Sequence, residues 1–212
     1  LYCGTVEPSD ALRYGRHSGA LPSHLLQFSA DKKPVVVWNV TRRCNLKCVH
    51  CYAHAKDQPA PDELPTAEGK RMLDDLARFG APVVLFSGGE PLMRPDLIEL
   101  ADYAVSQGMR AVISTNGTLI TPEVAASLKA VGLSYVGISL DGLEAVNDRF
   151  RGVRGAFHMA MQGIEACRKA GIKVGLRFTM NRFNAGEIPS IFDLLEQHDI
   201  PRVCFYHLVY AG

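Results

Sequence analysis

The chain has 212 residues, of which 47% are hydrophobic and 21% are charged. This composition is typical of a single folded globular domain and excludes a disordered chain. With 23 Lys and Arg against 22 Asp and Glu, the charge is nearly balanced, which gives no support for nucleic-acid binding through a basic surface. No apolar stretch is long enough to predict a membrane-spanning helix. The sequence starts at Leu1 without a visible signal peptide, and we expect a processed form or a piece of a longer chain.

Apolar segments of two kinds alternate along the chain. Runs rich in β-branched and aromatic residues predict strands at 35–40, 83–86, 111–113, 135–140, 174–180 and 203–209. Helical spacing of apolar residues predicts helices at 66–79, 97–108, 122–132, 156–170 and 188–195. Thr66 and Thr121 are the expected N-caps of two of these helices, and Gly80 is an expected stop. Because the strands are continuous apolar runs, we expect a sheet that is buried on both faces.

Strands that alternate with helices predict a parallel sheet with right-handed crossovers. An open doubly wound sheet and a barrel both fit this pattern. A closed eightfold barrel typically needs about 250 residues, so six strand–helix units favour an α/β fold of the partial (β/α)6 barrel type. Residues 1–33 lack clear periodicity and predict a short N-terminal arm, with at most a short helix near 22–28, whereas residues 34–212 form the core domain.

Three cysteines follow the first predicted strand in a C-x3-C-x2-C pattern, at Cys44, Cys48 and Cys51. Thiolates clustered in this way suit an iron–sulfur cluster or zinc. Zinc is one alternative, with His50 or His54 as a fourth ligand, although structural zinc sites usually draw on two separated pairs of ligands. A cubane cluster held by three cysteines leaves one iron open to a small molecule. We favour this second interpretation.

Polar residues also follow the other predicted strands. They are Gly88-Gly89-Glu90-Pro91 after the second strand, Ser114 and Asn116 after the third, Ser139 after the fourth, Thr179 at the end of the fifth, and Tyr206 and His207 in the sixth. The carboxyl ends of parallel strands meet at one rim, where α/β proteins bind ligands. We therefore expect these residues to contribute to one site.

The cysteine motif and the Gly-Gly-Glu-Pro segment, each after a strand, together resemble the radical S-adenosylmethionine (SAM) enzymes. The resemblance covers residues 34–212. It implies a 4Fe–4S cluster bound by Cys44, Cys48 and Cys51, with SAM chelated at the open iron through its amino and carboxylate groups. It also implies one-electron cleavage of SAM to a 5′-deoxyadenosyl radical, which abstracts hydrogen from the substrate.

The resemblance further implies which residues contact SAM. Gly88, Gly89 and Glu90 match the segment that binds the amino group, and Arg151 matches an arginine that pairs with the carboxylate. For Arg151 the alternative is a solvated charge at a helix start. The other implied SAM-binding residues are Tyr52, Ser114, Asn116, Ser139 and Leu176. Simple strand-end turns at Ser114 and Asn116, and core packing at Leu176, remain open alternatives.

A finer resemblance concerns residues 35–48 and 204–212, which are similar to the tetrapyrrole-modifying branch of this family. It implies removal of two acetate side chains from 12,18-didecarboxysiroheme, giving iron-coproporphyrin III in haem biosynthesis. Tyr206, His207 and Arg177 are candidates for contact with the substrate or its iron. The arginines that could bind substrate carboxylates are Arg42, Arg43, Arg94, Arg154 and Arg177. The alternatives are a haem d1 biosynthesis enzyme, a peptide-modifying maturase and a non-catalytic zinc- or cluster-binding regulator.

The family resemblance also implies partners and a setting. A low-potential electron donor such as flavodoxin or ferredoxin is expected, in an anaerobic or reducing cytoplasm. Relatives in this branch carry a cysteine-rich C-terminal extension, with a possible second 4Fe–4S cluster. The sequence stops at Gly212, just after the sixth predicted strand, and we expect that the extension was either removed or is disordered. We expect no membrane or nucleic-acid partner.

Overall fold

The computed structural model describes residues 2–3, 33–58 and 60–208, which build one seven-stranded sheet. The strands are β1 (Tyr2–Cys3), β2 (Val36–Thr41), β3 (Val83–Gly88), β4 (Arg110–Thr115), β5 (Tyr135–Ser139), β6 (Val174–Met180) and β7 (Arg202–His207). Strands β2 to β7 are parallel neighbours in chain order, and β1 pairs antiparallel with β7. Because β1 and β2 lie at opposite ends of the sheet, the barrel is not closed. The predicted partial barrel is confirmed.

Six α-helices connect the parallel strands. They are α1 (Thr66–Phe79), α2 (Leu97–Ser106), α3 (Pro122–Ala130), α4 (Glu144–Arg151), α5 (Ala156–Lys169) and α6 (Ile188–Gln197). Five lie where the apolar spacing predicts them, whereas α4 was not predicted. The reason is its composition, because Phe150 is the one large apolar residue that it buries, beside Asn147 and Arg151. In the described part of the chain, none of the helices has the length and apolarity needed to cross a bilayer.

Of the two predicted N-caps, Thr121 is confirmed and Thr66 is not. Thr121 is the N-cap of α3, and its hydroxyl accepts a hydrogen bond from the Val124 N–H (3.2 Å). The expected N-cap at Thr66 is wrong, because Pro65 occupies that position and Thr66 is the first helical residue. The Thr66 hydroxyl instead donates to Asp96 (2.6 Å), so it joins α1 to the start of α2.

The sheet is packed under helices on one face, and the expectation of two buried faces is wrong for the described residues. Alternate strand residues such as Val84, Phe86 and Leu176 are fully buried in one core together with helix residues. The intervening residues form the inner face of the partial barrel, and most of them keep at least partial exposure, as at Val37 (56% exposed). Strand side chains alternate between the two faces, so the inner face is available to a ligand.

The N-terminal arm is described only at Tyr2–Cys3, where a two-residue strand extends the sheet beyond β7. The short helix suggested near 22–28 lies outside the described residues. The last strand was predicted to reach residue 209, and β7 ends at His207. Residues 209–212 also lie outside the described part of the chain.

Candidate functional site

The cysteine loop, residues 42–56, follows β2 and lies across the end of α4. The Cys44 N–H donates to the Lys56 carbonyl (2.9 Å), which closes the loop on itself. The Lys47 N–H donates to the carbonyl of Arg151 (3.1 Å) and the Val49 N–H to that of Phe150 (2.9 Å). The last carbonyls of a helix have no partner within the helix. The loop therefore occupies the C-terminal carbonyls of α4, and this helix fixes its position.

Protein donors surround two of the three thiols. The Leu46 N–H lies 3.4 Å from the Cys44 sulfur, and the Asn116 amide lies 3.9 Å from it. Burial raises the pKa of Cys44 to about 11. Burial likewise raises the pKa of Cys48, although the Arg151 guanidinium, with Nη1 at 3.8 Å from the sulfur, opposes this shift. Metal ligation requires the thiolate and releases the proton.

Gly88 and Gly89 bring the end of β3 against the backbone of the cysteine loop. The Gly89 N–H donates to the Thr41 carbonyl (2.8 Å), and the next N–H along the chain, of Glu90, donates to the Arg43 carbonyl (2.8 Å). A Cβ on Gly89 would lie 2.9 Å from the Arg42 carbonyl oxygen. Gly88 also has φ +138°, which side chains rarely allow. The glycine pair thus permits close approach to the loop.

Glu90 is fully buried and ties β3 to β4. Its carboxylate accepts hydrogen bonds from the Thr115 hydroxyl (2.7 Å), the Asn116 N–H (2.7 Å) and the Leu92 N–H (3.1 Å). The Asn116 amide in turn donates to the side chain of Asn45 in the cysteine loop (2.9 Å). Burial raises the pKa of Glu90 against these hydrogen bonds. This network connects two strand ends with the loop.

Asp141 is a second fully buried carboxylate, two residues after the end of β5. Its Oδ2 lies 2.6 Å from Arg151 Nη2 and 3.1 Å from His50 Nε2. Its Oδ1 accepts from the Thr179 N–H (2.8 Å), and its own N–H donates to Asn147 on α4 (3.0 Å). Burial alone would raise the pKa of Asp141, but the hydrogen bond from His50 and the charge of Arg151 hold it below its usual range.

The site residues fit a bound cluster and SAM. Arg151 Nε and His50 Nδ1 are buried and have no hydrogen-bond partner among the described residues, and a buried polar atom without a partner is costly. A bound carboxylate would satisfy such an arginine nitrogen.

The zinc alternative fits less well. Thiolates around one zinc ion all lie about 2.3 Å from it, whereas cluster ligands bind different irons and lie farther apart. Within the described ranges, no three His, Cys, Asp or Glu side chains converge closely enough to hold a single metal ion. His50, one of the two histidines suggested as a fourth ligand, is paired with Asp141.

The other residues predicted to bind SAM are distributed unevenly. Ser114 and Ser139 are partly exposed on the inner face near the rim. Tyr52 follows the last cysteine with 69% exposure. Leu176 is fully buried in the core under the helices. It presents no surface to a ligand, so the structure contradicts the predicted SAM contact and supports core packing instead.

The arginines predicted to bind substrate carboxylates differ in their partners. Arg94 was predicted wrongly, because its guanidinium donates to the Val40 and Leu64 carbonyls and to Asp96 within the protein. Arg42 pairs with Asp62 at 3.3 Å, and Arg43 pairs with Asp57 at 3.0 Å, both on exposed side chains. Arg154 is exposed after α4. Arg177 lies on β6 and makes no ion pair with a described residue.

Tyr206 and His207 lie at the end of β7 and are exposed, with Tyr206 at 42%. By register Tyr206 is opposite Thr179 and His207 is opposite Met180. Both are therefore at the same rim as the cysteine loop, and their contact with a substrate stays a prediction.

Asp141, Asn45 and Thr118 were missed as contributors to the site. Asp141 pairs with Arg151, and Asn45 links Asn116 to the Thr118 hydroxyl (2.9 Å). The signal that could have found Asp141 is its place directly after a parallel strand, before a glycine. Nothing in the chain order pairs it with an arginine ten residues later.

Comparison with known proteins identifies the class. The sequence matches the Radical SAM superfamily over residues 38–195, and the chain belongs to this superfamily. Membership implies SAM and a 4Fe–4S cluster as cofactors. The motif-based prediction of the family is confirmed.

The chain is also similar in sequence to individual curated proteins. The chain is 71% identical over 212 residues to Fe-coproporphyrin III synthase of Methanosarcina barkeri, covering 100% of the chain and 53% of the relative. It is 46% identical over 180 residues to pre-heme d1 synthase of Dinoroseobacter shibae, covering 85% of the chain and 45% of the relative. The chain thus spans about half the length of these curated relatives.

The fold has solved counterparts. Streptococcus suis SuiB bound to S-adenosylmethionine superimposes with a TM-score of 0.72 at 20% identity, covering 84% of this chain and 41% of that chain. At this identity the likeness concerns the fold alone, and it agrees with the unclosed barrel.

Proposed function

We propose that the protein acts in haem biosynthesis and removes the two acetate side chains of 12,18-didecarboxysiroheme, giving iron-coproporphyrin III. The observation that carries the proposal is the 71% identity to Fe-coproporphyrin III synthase over all 212 residues. The proposal concerns the full-length protein, because the matched relative is about twice as long as the chain.

In this proposal Cys44, Cys48 and Cys51 bind the cluster. When bound, the cluster and SAM together supply a 5′-deoxyadenosyl radical by one-electron cleavage of SAM. The chain's own part is to hold these groups in place. The end of α4 fixes the loop through the Lys47 and Val49 amides, while Asn116 and Arg151 lie beside two of the sulfurs.

Two parts of the rim hold SAM in this proposal. The backbone of Gly88 and Gly89 meets its amino group, and Glu90 orders that segment, since its carboxylate already accepts three protein hydrogen bonds. Arg151 pairs with the SAM carboxylate through its unpartnered Nε. Ser114 and Ser139 contribute from the inner face.

Partners and setting follow from the same proposal. A low-potential donor such as flavodoxin or ferredoxin supplies the electron, and the protein works in a reducing cytoplasm. A second 4Fe–4S cluster in a C-terminal extension accompanies this arrangement. Alternation along β7 places Tyr206 on the inner-face side, because Val203 and Phe205 pack in the core. In this proposal Tyr206 faces the macrocycle, and His207 lies beside it at the same rim.

One alternative has its own observation. The 46% identity to pre-heme d1 synthase favours a related reaction in haem d1 biosynthesis, on a tetrapyrrole of the same carboxylate-rich type. A peptide-modifying maturase is a further alternative, which shares the SAM chemistry but not the substrate.

The test is an anaerobic assay of the reconstituted full-length protein with SAM, dithionite and 12,18-didecarboxysiroheme, followed by mass spectrometry. We expect stepwise loss of two acetate groups together with 5′-deoxyadenosine. Formation of 5′-deoxyadenosine with the tetrapyrrole unchanged would overturn the substrate assignment and leave the peptide and haem d1 alternatives.

Cysteine variants test the cluster assignment in the same assay. Cys44→Ala is expected to abolish 5′-deoxyadenosine formation and to lower the bound iron. The matched control is Cys167→Ala, because Cys167 is buried in α5 among apolar residues and should leave iron content unchanged. Native production of 5′-deoxyadenosine by Cys44→Ala would contradict the assignment.

A further inference from the structure

The inner face of the sheet has a one-sided charge. The six parallel strands β2 to β7 contain Arg110, Arg177 and Arg202 but no Asp or Glu. Alternation along β6 places Arg177 on the inner face, because its neighbours Leu176 and Phe178 are fully buried in the core. The six strands therefore supply arginine side chains and no carboxylate, and Arg177 is the arginine whose inner-face position the neighbouring burial fixes.

A glycine notch holds two of the inner side chains. We use this name for Gly137, Gly175, Tyr135 and Arg177. The glycines are directly opposite each other on β5 and β6. A Cβ on Gly137 would lie 3.0 Å from the Arg177 Cζ, and one on Gly175 would lie 3.1 Å from the Tyr135 ring. Each side chain thus lies flat on the neighbouring strand, where only glycine leaves room.

Among the described residues, the guanidinium in this notch has no carboxylate partner. Arg177 Nε is buried with no hydrogen-bond partner, and in the described ranges no carboxylate pairs with this side chain. Arg94 and Arg151 are more deeply buried than Arg177 and differ from it, because Arg94 is paired with Asp96 and Arg151 with Asp141. Burial raises the pKa of Tyr135 to about 12, so its phenol is neutral and does not compensate the charge. An unpaired, partly buried cation is costly unless a ligand supplies the anion.

The notch is next to the rim. The Arg177 carbonyl accepts the Leu140 N–H (3.0 Å), one residue before Asp141. Thr179, two residues along β6, donates to the Asp141 carboxylate, and two strand residues span about 7 Å. Arg177 therefore lies on the inner face, two residues along β6 from the strand position that contacts Asp141.

We propose that Arg177 binds a carboxylate side chain of the tetrapyrrole substrate and thereby fixes the orientation of the macrocycle on the inner face. This inference rests on the proposed function. The guanidinium offers a planar pair of donors that matches a carboxylate. Among the five arginines considered from sequence, Arg177 alone combines an inner-face position with the lack of a described counter-ion.

The experiment compares Arg177→Met with Arg78→Met in the reconstituted full-length protein. Arg78 is exposed on α1 and pairs with Asp75, far from the inner face in sequence and structure. The readout is the Kd for 12,18-didecarboxysiroheme, titrated through its visible absorption without dithionite. We expect Arg177→Met to weaken binding about tenfold to a hundredfold, and Arg78→Met to leave it unchanged.

A neutral ligand separates charge recognition from packing. The fully esterified substrate has no carboxylate, so its Kd should be the same for wild type and Arg177→Met. Arg177→Lys keeps the charge but not the fork of donors, and it should bind the free acid with intermediate affinity. This variant also keeps the inference testable if Arg177→Met does not fold. In turnover, KM should rise, and kcat should fall as well, because the macrocycle is less well oriented without this contact.

The outcomes distinguish the two levels of the proposal. If wild type converts the tetrapyrrole and Arg177→Met, or failing that Arg177→Lys, binds the free acid as tightly as wild type, this inference is wrong and the proposed function stands. If wild type neither binds nor converts the tetrapyrrole, the proposed function is wrong and this inference falls with it. An equal loss of affinity for the acid and the ester would also overturn it, because that pattern indicates packing.

Discussion

At the residue scale, Asp141 joins three parts of the site that are distant in sequence. It accepts from Thr179 on β6, pairs with Arg151 on α4 and bonds His50 in the cysteine loop. Burying a carboxylate is costly, and removing one partner of a buried pair leaves the other charge uncompensated. Asp141 therefore matters more to the site than its place outside the cysteine motif would indicate.

Asp141→Asn is expected to lower the free energy of unfolding by about 3 kcal/mol at pH 7, because Arg151 then remains buried without its counter-ion. The pKa of Asp141 is lowered in the folded state, so the stabilisation is present above the unfolded pKa of about 4 and is lost as pH falls through the folded value. Denaturant titration at several pH values measures this.

The matched control for that experiment is Asp193→Asn, on the exposed side of α6. It should change stability little at any pH. A stability loss at Asp141→Asn that persists unchanged at the acid limit would contradict the ion-pair explanation.

At the element scale, the close contact between the end of β3 and the cysteine loop is possible because two residues of that strand end are glycines. The segment 88–90 runs alongside Thr41 to Arg43, where the Gly89 N–H donates to the Thr41 carbonyl and the Glu90 N–H donates to the Arg43 carbonyl. On the other side, the loop is attached to the end of α4. The cysteines are thus held between a strand end and a helix end, although the loop itself has little regular structure.

Gly89→Ala is expected to displace the cysteine loop, because the added methyl group would lie 2.9 Å from the Arg42 carbonyl oxygen and closer still to Arg43. The measurement is iron bound per chain after anaerobic reconstitution, which should fall severalfold. Gly186→Ala is the control, since nothing lies within 4 Å of an added Cβ there. Equal iron content in the two variants would show that the close approach is not needed.

At the scale of the whole molecule, the two faces of the sheet have different roles, since one packs in the core and the other is open to a ligand. Val84, Phe86 and their neighbours are buried under the helices, whereas the intervening side chains line the inner face. Burial stabilises the fold at about 0.8 kcal/mol for each buried methylene. The inner face contributes less of that energy and carries the cationic side chains.

The same substitution on the two faces tests this division. Val84→Ala removes a fully buried side chain, and we expect a loss of about 2 kcal/mol in the free energy of unfolding. Val37→Ala, at a site that is 56% exposed on the neighbouring strand, should cost less than about 1 kcal/mol. Thermal and chemical unfolding of both variants gives the comparison, and equal losses would contradict the asymmetric sheet.

Much of this fold is accessible from sequence because its strands and most helices have strong apolar periodicity. Helix α4 escapes detection because its buried residues include Asn147 and Arg151, which give no apolar stripe. Cys44, Cys48 and Cys51 can be predicted as a group from their spacing alone, because they lie close together in the chain, and their role as cluster ligands stays a prediction. The roles of Asp141, Arg94 and Leu176 depend on which side chains meet in space, and the chain order does not show this. The same is true of the sheet, because the sequence does not show which elements cover each of its faces, and the prediction of two buried faces was wrong.

The alternation along the strands also bears on how such a scaffold can change over generations. Positions such as Leu85 and Val112 are only partly buried and lie between fully buried residues. Substitutions at these positions leave the helix-covered core intact. Substrate preference can therefore change through successive substitutions while each intermediate sequence still folds. A combinatorial library limited to the inner face should therefore keep a high fraction of folded members while sampling ligands of different shape and charge.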